Sequence, residues 1–345
     1  MTRICAYDDS LANAVGSPYT LQEMVCKLTM IALECLTQDP LQLPGSRLSD
    51  REVEYREAWY DAAIQSLGNV FGKIISLTFD GYGSLRSGNE GQSILGPVIE
   101  PITSLHRHRL LADMGPWPAT MPLAPHLALT IREVQWLESA KGRQLFDQWR
   151  AKMHPNEDRS RTLPAFVELA QTLVDIVPHM YSLFPLPEVA CRPALFHADF
   201  HSSNILVSPT DLTVVTGVVD WEFTSILPLW AAYTVPPTIR DNGEKYELDP
   251  EWRTRKAHLR MVFAQAVIQT CPDAASVAQA EDEQTERSIR GLSILVKVAT
   301  TGVSLYKSFK DVAALLVQIR ECVSVGNKAI VEKLDHLVTL FSQYV

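Results

Sequence analysis

Two short apolar runs separated by a turn constrain the fold of this chain more than any other feature. The runs, Ile205–Val207 and Val214–Val219, are rich in β-branched residues, which favours short buried strands. The segment between them, Ser208–Asp211, contains a proline and an acid, and this composition is typical of a turn. The sequence therefore predicts a β-hairpin.

Polar residues collect at one end of this predicted hairpin. They are His197, Asp199, His201 and Asn204 before the first strand, and Asp220 and Glu222 after the second. Carboxylates placed at the ends of apolar strands are costly unless they are paired or bound to a metal. The arrangement therefore indicates a functional site, with two imidazoles, three carboxylates and an amide close together.

The order of these residues resembles a known catalytic loop. The spacing His-x-Asp-x-x-x-x-Asn, then an apolar strand and Asp-Trp-Glu, is similar to that of the aminoglycoside phosphotransferase and choline kinase-like family, small-molecule relatives of the protein kinases. The resemblance implies that Asp199 accepts the proton of a substrate hydroxyl. It further implies that Asn204 and Asp220 hold magnesium, and that His197 braces the loop.

The N-terminal residues extend the resemblance. Gly16-Ser-Pro-Tyr and Glu23-Met-Val resemble the last two strands and the hinge of the family's N-terminal lobe. The resemblance thus predicts an α+β, protein-kinase-like fold in two parts. Residues 1–26 are expected to be a remnant of the N-terminal β lobe. Residues 27–345 are expected to form a mainly helical C-terminal lobe that carries the small catalytic β-hairpin.

The nucleotide-binding parts of the family find no counterpart in the sequence. In full-length relatives, the glycine loop that covers the phosphates and the lysine that pairs with ATP precede the strands found here at residues 1–26. Gly81–Gly91 is glycine-rich but follows a helical pattern rather than a strand, so we expect a surface loop there. A long helix is expected to start before it, near Asp50, because Ser49 and Glu52 fit a capping box.

Aromatic residues follow the Asp-Trp-Glu segment closely. They are Trp221, Phe223, Trp230 and Tyr233. Such side chains can wall a substrate pocket, and they can equally pack in the core. The sequence leaves both alternatives open.

Three functions are compatible with these features. The first is a non-phosphorylating tailoring enzyme of specialised metabolism without a cofactor, which catalyses a cyclisation, isomerisation or pericyclic step on an apolar metabolite. His197, Asp199, His201 and Glu222 would then be its proton donors and acceptors. The alternative is an Mg²⁺–ATP-dependent phosphotransferase that acts on a small-molecule hydroxyl. The third is a non-catalytic, pseudokinase-like binding protein.

Composition restricts the classes of partner and the cellular compartment that we expect for this chain. A formal net charge of −9 argues against a nucleic-acid backbone as partner. The six cysteines are scattered without a C-x-x-C pair, and no apolar run reaches membrane-spanning length, so we expect a cytoplasmic protein away from membranes. The two short strands expected within residues 1–26 would form a ribbon that is marginal in stability by itself. We therefore expect the helices of the C-terminal lobe, or a second copy in a homodimer, to cover it.

Overall fold

A computed structural model describes most of the chain. The described residues are 4–8, 19–22, 28–29, 50–87, 93–98, 113–221, 223–240, 250–278, 283–300, 307–323 and 328–343. The strands are β1 (Ile4–Asp8), β2 (Tyr19–Gln22), β3 (Leu28–Thr29), β4 (Gly81–Ser87), β5 (Ser93–Gly96), β6 (Trp117–Pro118), β7 (Pro193–Phe196), β8 (Ile205–Val207), β9 (Val215–Val218) and β10 (Ser225–Pro228). The α-helices are α1 (Asp50–Ile75), α2 (Ala124–Glu138), α3 (Ala140–Met153), α4 (Arg159–Ile176), α5 (Met180–Leu183), α6 (Leu229–Ala232), α7 (Pro250–Thr270), α8 (Ala275–Ala278), α9 (Glu283–Thr300), α10 (Phe309–Cys322) and α11 (Lys328–Ser342).

The chain divides into two compact units. The first, here called the loop unit, comprises Met1–Ile74, His197–Glu222 and Thr234–Pro272. The second, the bundle unit, comprises Ile75–Phe196, Phe223–Tyr233 and Asp273–Val345. Among the described residues, no helix is both long enough and apolar enough to cross a membrane.

The predicted hairpin is the centre of the loop unit. β8 and β9 pair antiparallel, and β3 pairs with the other edge of β8 to give a three-stranded sheet. All three residues of β8 are buried, as the apolar run predicts. In the same unit, β1 and β2 pair antiparallel as the predicted N-terminal ribbon.

Helices α1 and α7 support this sheet. α1 begins at Asp50, where the capping pattern predicts it. The two helices approach closely at two glycines of α1, since a Cβ on Gly68 would lie 2.7 Å from Ala266 Cβ and one on Gly72 would lie 2.8 Å from Thr270 Cβ. The Val215 N–H in β9 donates to Ser66 Oγ of α1 at 3.0 Å, which fixes the hairpin on the helix.

In the bundle unit, the surface loop expected at Gly81–Gly91 is wrong for its first part. Gly81–Ser87 is strand β4, which pairs with β5, β6 and β10 in an antiparallel sheet that continues to β7. Residues 81–84 are buried. The glycines serve close backbone approach, because a Cβ on Gly81 would collide with the Trp117 carbonyl.

The helices of the bundle unit pack around a cluster of phenylalanines. Ring contacts link Phe166 of α4 to Phe146 of α3, Phe309 of α10 and Phe341 of α11, at 5.3–5.8 Å between centroids. The Arg150 guanidinium lies 4.8 Å from the Phe166 ring centroid and forms an ion pair with Glu157. The bundle unit therefore contains a charged side chain within an aromatic core.

Candidate active site

His197 connects the two ends of the hairpin. Its side chain is buried, its Nε2–H donates to the Val219 carbonyl at 3.1 Å, and its Nδ1 accepts the Asp199 N–H at 3.2 Å. Burial lowers the pKa of this imidazole, and the bond to Val219 and the charges of Asp199 and Asp220 oppose that shift. Both ring nitrogens are therefore used in holding the backbone, as a brace of the loop requires.

The two carboxylate oxygens of Asp199 differ in their hydrogen-bond partners. The side chain is 57% exposed. Its Oδ2 lies 3.0 Å from His201 Nε2 and 3.1 Å from Asn204 Nδ2, whereas Oδ1 has no hydrogen-bond partner among the described residues. The carboxylate is thus held at one oxygen and leaves the other for a ligand.

Asn204 ties Asp199 to the hairpin. Its Nδ2 also donates to the Asp199 carbonyl at 2.9 Å, and its own carbonyl accepts the Val219 N–H at 2.9 Å. The side chain is mostly buried. Because the amide nitrogen faces Asp199, the amide oxygen is the atom left for another ligand.

The segment after β9 has an unusual backbone. Asp220 and Phe223 have φ values of 61° and 59°, a left-handed conformation that costs about 1–3 kcal/mol outside glycine. Between them, Trp221 donates its indole N–H to the Val218 carbonyl at 2.9 Å and packs edge-on against His197 at 4.7 Å between centroids. Asp220 is exposed, and Glu222 lies outside the described residues.

The predicted pocket aromatics fall in different environments. Trp221 belongs to the loop unit and is 40% exposed. Trp230 belongs to the bundle unit, where it is buried, packs against His126 and donates its indole N–H to the Tyr181 hydroxyl at 3.0 Å. Trp230 therefore packs in the interior of the bundle unit. For Phe223 and Tyr233, both half-buried, a pocket role stays a prediction.

Two further loop residues, Phe200 and Ser203, make contacts that no sequence motif predicts. Phe200 is buried and stacks against Phe71 of α1 at 4.9 Å and near His197 at 5.9 Å between centroids. Ser203 donates its backbone N–H to His201 Nδ1 at 3.3 Å. The apolar Phe200 inside an otherwise polar loop was the available signal for the first, and a backbone donor leaves no signal in the sequence.

The residues present fit magnesium. Carboxylate and amide oxygens are hard ligands, and Mg²⁺ in phosphoryl-transfer sites is bound by one or two carboxylates together with substrate phosphates and water. Asp220 offers an exposed carboxylate, and Asn204 has its amide oxygen available. No cluster of three or more histidines, cysteines or acids suited to a metal occurs in the described part of the chain, so a closed all-protein site is not found there.

The comparison with family models agrees with this geometry. Residues 81–231 match the model described as "Phosphotransferase enzyme family", a segment that includes residues 197–204 and the hairpin. Residues 81–231 are therefore similar to this phosphotransferase family, and the predicted α+β, kinase-like fold is confirmed.

Curated relatives are more distant. The protein "Altered inheritance of mitochondria protein 9, mitochondrial" of Saccharomyces cerevisiae is 24% identical over 244 residues, which cover 60% of this chain and 36% of that protein. Its namesake in Candida tropicalis is 23% identical over 256 residues, covering 66% and 38%. The chain therefore spans little more than a third of these relatives.

One solved structure shows a remote similarity. A protein from Ralstonia eutropha JMP134, assigned as an aminoglycoside phosphotransferase, is 12% identical with a TM-score of 0.32, over 86% of this chain and 76% of that chain.

Proposed function

We propose that this protein transfers a phosphoryl group to a hydroxyl of a small molecule, with Asp199 as the proton acceptor. The observation that carries the proposal is the state of the Asp199 carboxylate. Its Oδ2 is fixed by His201 and Asn204, and its Oδ1 has no partner among the described residues. A general base needs an oriented acceptor atom that a substrate proton can reach, and Oδ1 is an accessible oxygen of a carboxylate whose other oxygen is held.

The residues of this loop account for the positioning of the acceptor hydroxyl and of a metal ion. Phosphoryl transfer depends on placing the reactants in line and on neutralising charge. Asp199 Oδ1 takes the proton of the attacking hydroxyl, while His197 holds the Asp199 backbone. Asn204 and Asp220 would hold Mg²⁺, which supplies positive charge beside the phosphates when bound. ATP is the donor that the family relationship implies.

A non-phosphorylating enzyme is the second candidate, and the contact between Asp199 and His201 favours it. A carboxylate and an imidazole 3.0 Å apart, both accessible to solvent, can support acid–base chemistry without a metal. In that case the pair serves a cyclisation, isomerisation or pericyclic step on an apolar metabolite, with no cofactor. Glu222 would be a further acid in this scheme.

A phosphate-transfer assay separates the candidates. The 345-residue chain is incubated with [γ-³²P]ATP, Mg²⁺ and a panel of small-molecule alcohols, and labelled product is measured with and without EDTA. We expect labelled product that EDTA abolishes, and at least a hundredfold loss in Asp220→Asn, because removing one preorganised electrostatic contact costs about 3 kcal/mol.

The matched control is Asp211→Asn. Asp211 is an exposed aspartate in the turn of the same hairpin, where it accepts hydrogen bonds from Thr213, and its substitution should leave the rate unchanged. Conversion of a metabolite that EDTA and Asp220→Asn do not affect would instead identify the second candidate. Binding of such a molecule without any turnover would identify a non-catalytic protein.

Location and assembly are part of the proposal. The names of the curated relatives place those proteins in mitochondria, whereas the scattered cysteines of this chain favour a reducing, cytoplasmic setting. Imaging of the tagged chain against a mitochondrial marker tests the location. Sedimentation tests the homodimer that would cover the β1–β2 ribbon.

A further inference from the structure

The His201 ring lies between the catalytic carboxylate and the backbone of the loop. One nitrogen, Nε2, is 3.0 Å from Asp199 Oδ2, and the other, Nδ1, accepts the Ser203 N–H at 3.3 Å. His201 is thereby the N-cap of the short 3-10 helix Ser202–Asn204. The ring joins Asp199 to the turn that ends in the proposed magnesium ligand Asn204.

These two contacts define the tautomer of His201. A backbone amide can only donate, so Nδ1 must carry a lone pair where it meets Ser203. The neutral ring then has its proton on Nε2, from which it donates to Asp199 Oδ2. The ring therefore acts as one donor and one acceptor. Asn204 Nδ2 also lies 3.4 Å from Nε2, but it donates at shorter distance to the Asp199 carbonyl and to Oδ2.

The Ser203 hydroxyl is not a nucleophile activated by this ring. Its Oγ is 2.7 Å from Nδ1 and also 3.4 Å from Nε2. An atom so close to both nitrogens lies beside the ring rather than along the lone pair of either. A serine–histidine–aspartate triad needs that alignment, so the arrangement serves another purpose.

We infer that His201 is a positioning residue for Asp199, which it holds through Oδ2 so that Oδ1 is the oxygen that takes the substrate proton. The inference rests on the proposed role of Asp199 as base. Asn204 Nδ2 supports the same oxygen at 3.1 Å, so two donors fix one edge of a carboxylate that is otherwise largely exposed.

His201 does not relay the proton. A proton entering at Nδ1 would displace the Ser203 N–H, and Nε2 already carries the proton that Asp199 accepts. Either movement breaks a contact that holds the loop. The loop therefore needs a fixed ring, with Nε2 as donor to Asp199 and Nδ1 as acceptor from Ser203.

The first test needs neither substrate nor metal. ¹⁵N-histidine NMR of the 345-residue chain at pH 7.5 reports which ring nitrogen of each histidine carries a proton, and the His201 signals are assigned by their loss in His201→Gln. We expect the neutral form protonated at Nε2. A ring protonated at Nδ1, or at both nitrogens, overturns the inference.

The matched control for this spectrum is Ser202→Ala. Ser202 Oγ is buried beside His201 in sequence and has no hydrogen-bond partner among the described residues. Its removal should leave the His201 signals in place. If they move to another tautomer, the Ser203 N–H does not set the ring, and the inference fails.

The second test compares two substitutions in the phosphate-transfer assay. The amide of His201→Gln offers one donor and one acceptor but cannot titrate, whereas His201→Leu offers neither. We expect His201→Leu to lower kcat about a hundredfold with KM within twofold, since a misplaced base has about this effect. His201→Gln should stay within about tenfold of the original kcat.

Each other outcome contradicts the inference. Equal losses in the Gln and Leu variants would show that the imidazole itself moves a proton, and an unchanged Leu variant would show that Asp199 needs no support. A rise in KM alone would assign His201 to substrate binding. Absence of any phosphate transfer would refute the proposed function instead, while the NMR result would still report on the His201 contacts.

Discussion

The described part of the chain contains a histidine–tryptophan contact in each unit, and the polar partners of the two contacts differ. In the loop unit, His197 packs against Trp221 at 4.7 Å, both ring nitrogens are hydrogen-bonded, and the indole is 40% exposed. In the bundle unit, His126 packs against Trp230 at 5.3 Å, both are buried, and His126 Nε2 has no partner among the described residues. The residue types are the same, and the polar partners differ.

This difference in polar contacts distinguishes His197, in the candidate site, from His126, in the core. Burial alone acts on His126 and lowers its pKa to about 4, so the ring stays neutral and serves as apolar filling. His197 is also buried, but a backbone carbonyl and two nearby carboxylates oppose the shift. Polar contacts made by both nitrogens, rather than burial, therefore mark the histidine that organises the loop.

The largest expected effect comes from Phe71→Ala. Phe71 contacts Phe200 of the catalytic loop and Phe263 of α7, so its removal leaves a cavity under the loop. Such truncations cost about 3–5 kcal/mol, measured as the free energy of unfolding in urea. We also expect a lower kcat per folded molecule. Phe166→Ala in the bundle unit is the control, for which we expect a similar loss of stability and an unchanged kcat. If the two variants have the same kcat, Phe71 does not support the loop that contains Phe200.

Arg150→Met tests the core of the bundle unit. Arg150 is buried, pairs with Glu157 and donates to the Lys307 carbonyl. Removing one partner of a buried ion pair costs about 3 kcal/mol, and methionine keeps much of the volume. Chemical denaturation should show this loss, and Arg143→Met, an exposed arginine on the same helix, should show almost none. A stability equal to that of the original protein would mean that the ion pair contributes nothing.

Acid should destabilise the chain through His126. Its pKa is 6.5 when unfolded and about 4 when folded, so above pH 6.5 both states are neutral and the group has no effect. Between pH 6.5 and 4 the unfolded state binds a proton that the folded state does not, and stability falls by about 2 kcal/mol at pH 5. The difference between the unfolding free energies at pH 7.5 and pH 5.0 should therefore be about 2 kcal/mol smaller in His126→Leu than in the original protein. An identical pH dependence in the two proteins would exclude His126 as the cause.

The smallest expected effect is that of His197→Gln. The shorter amide cannot span both partners, so we expect to lose about 1 kcal/mol, the net value of one hydrogen bond. The Asp199 N–H, which donates to His197 Nδ1, should exchange with solvent about five- to tenfold faster in hydrogen-exchange NMR. The exchange of the Asn204 N–H, which bonds to the His201 carbonyl, is the internal reference. Unchanged exchange at Asp199 would show that His197 does not brace the loop.

The hairpin and the start of α1 could be predicted because their signals are local. β-branched runs bounded by a turn produce β8 and β9, and the capping pattern before Asp50 marks a helix start wherever it occurs. Strand β4 could not be predicted, because its glycines have low strand propensity and two of its partners, β6 and β10, come from distant parts of the chain.

Apolar residues at helical spacing over Ile131–Trp149 predict a single helix, and this prediction was wrong. The structure has two helices there, α2 and α3, separated at Ser139, whose side chain accepts the Gly142 N–H. Ser139 is not followed three residues later by an acid, as Ser49 is, so the capping-box pattern does not mark it.

In the candidate site, too, some features follow from the local sequence and others depend on how the chain folds. The spacing of Asp199, Asn204 and Asp220 identified the loop, since these positions follow from the chain itself. The choice of Asp199 Oδ2 by two donors, and the support of Phe200 by Phe71 from α1, depend on how the loop folds back on itself and on a segment far away in sequence. The sequence pattern alone predicts neither the hydrogen bonds to Asp199 Oδ2 nor the contact between Phe71 and Phe200.

The most direct test of the account is the kcat of Asp199→Asn in Mg²⁺-dependent transfer of the ATP γ-phosphate to the alcohol found in the panel. The substitution keeps the size of the side chain and removes the proton acceptor at Oδ1. General-base catalysis contributes about 10²–10⁴-fold, so we expect a loss in this range with an unchanged unfolding midpoint. A variant that transfers phosphate as fast as the original chain would show that Asp199 is not the base.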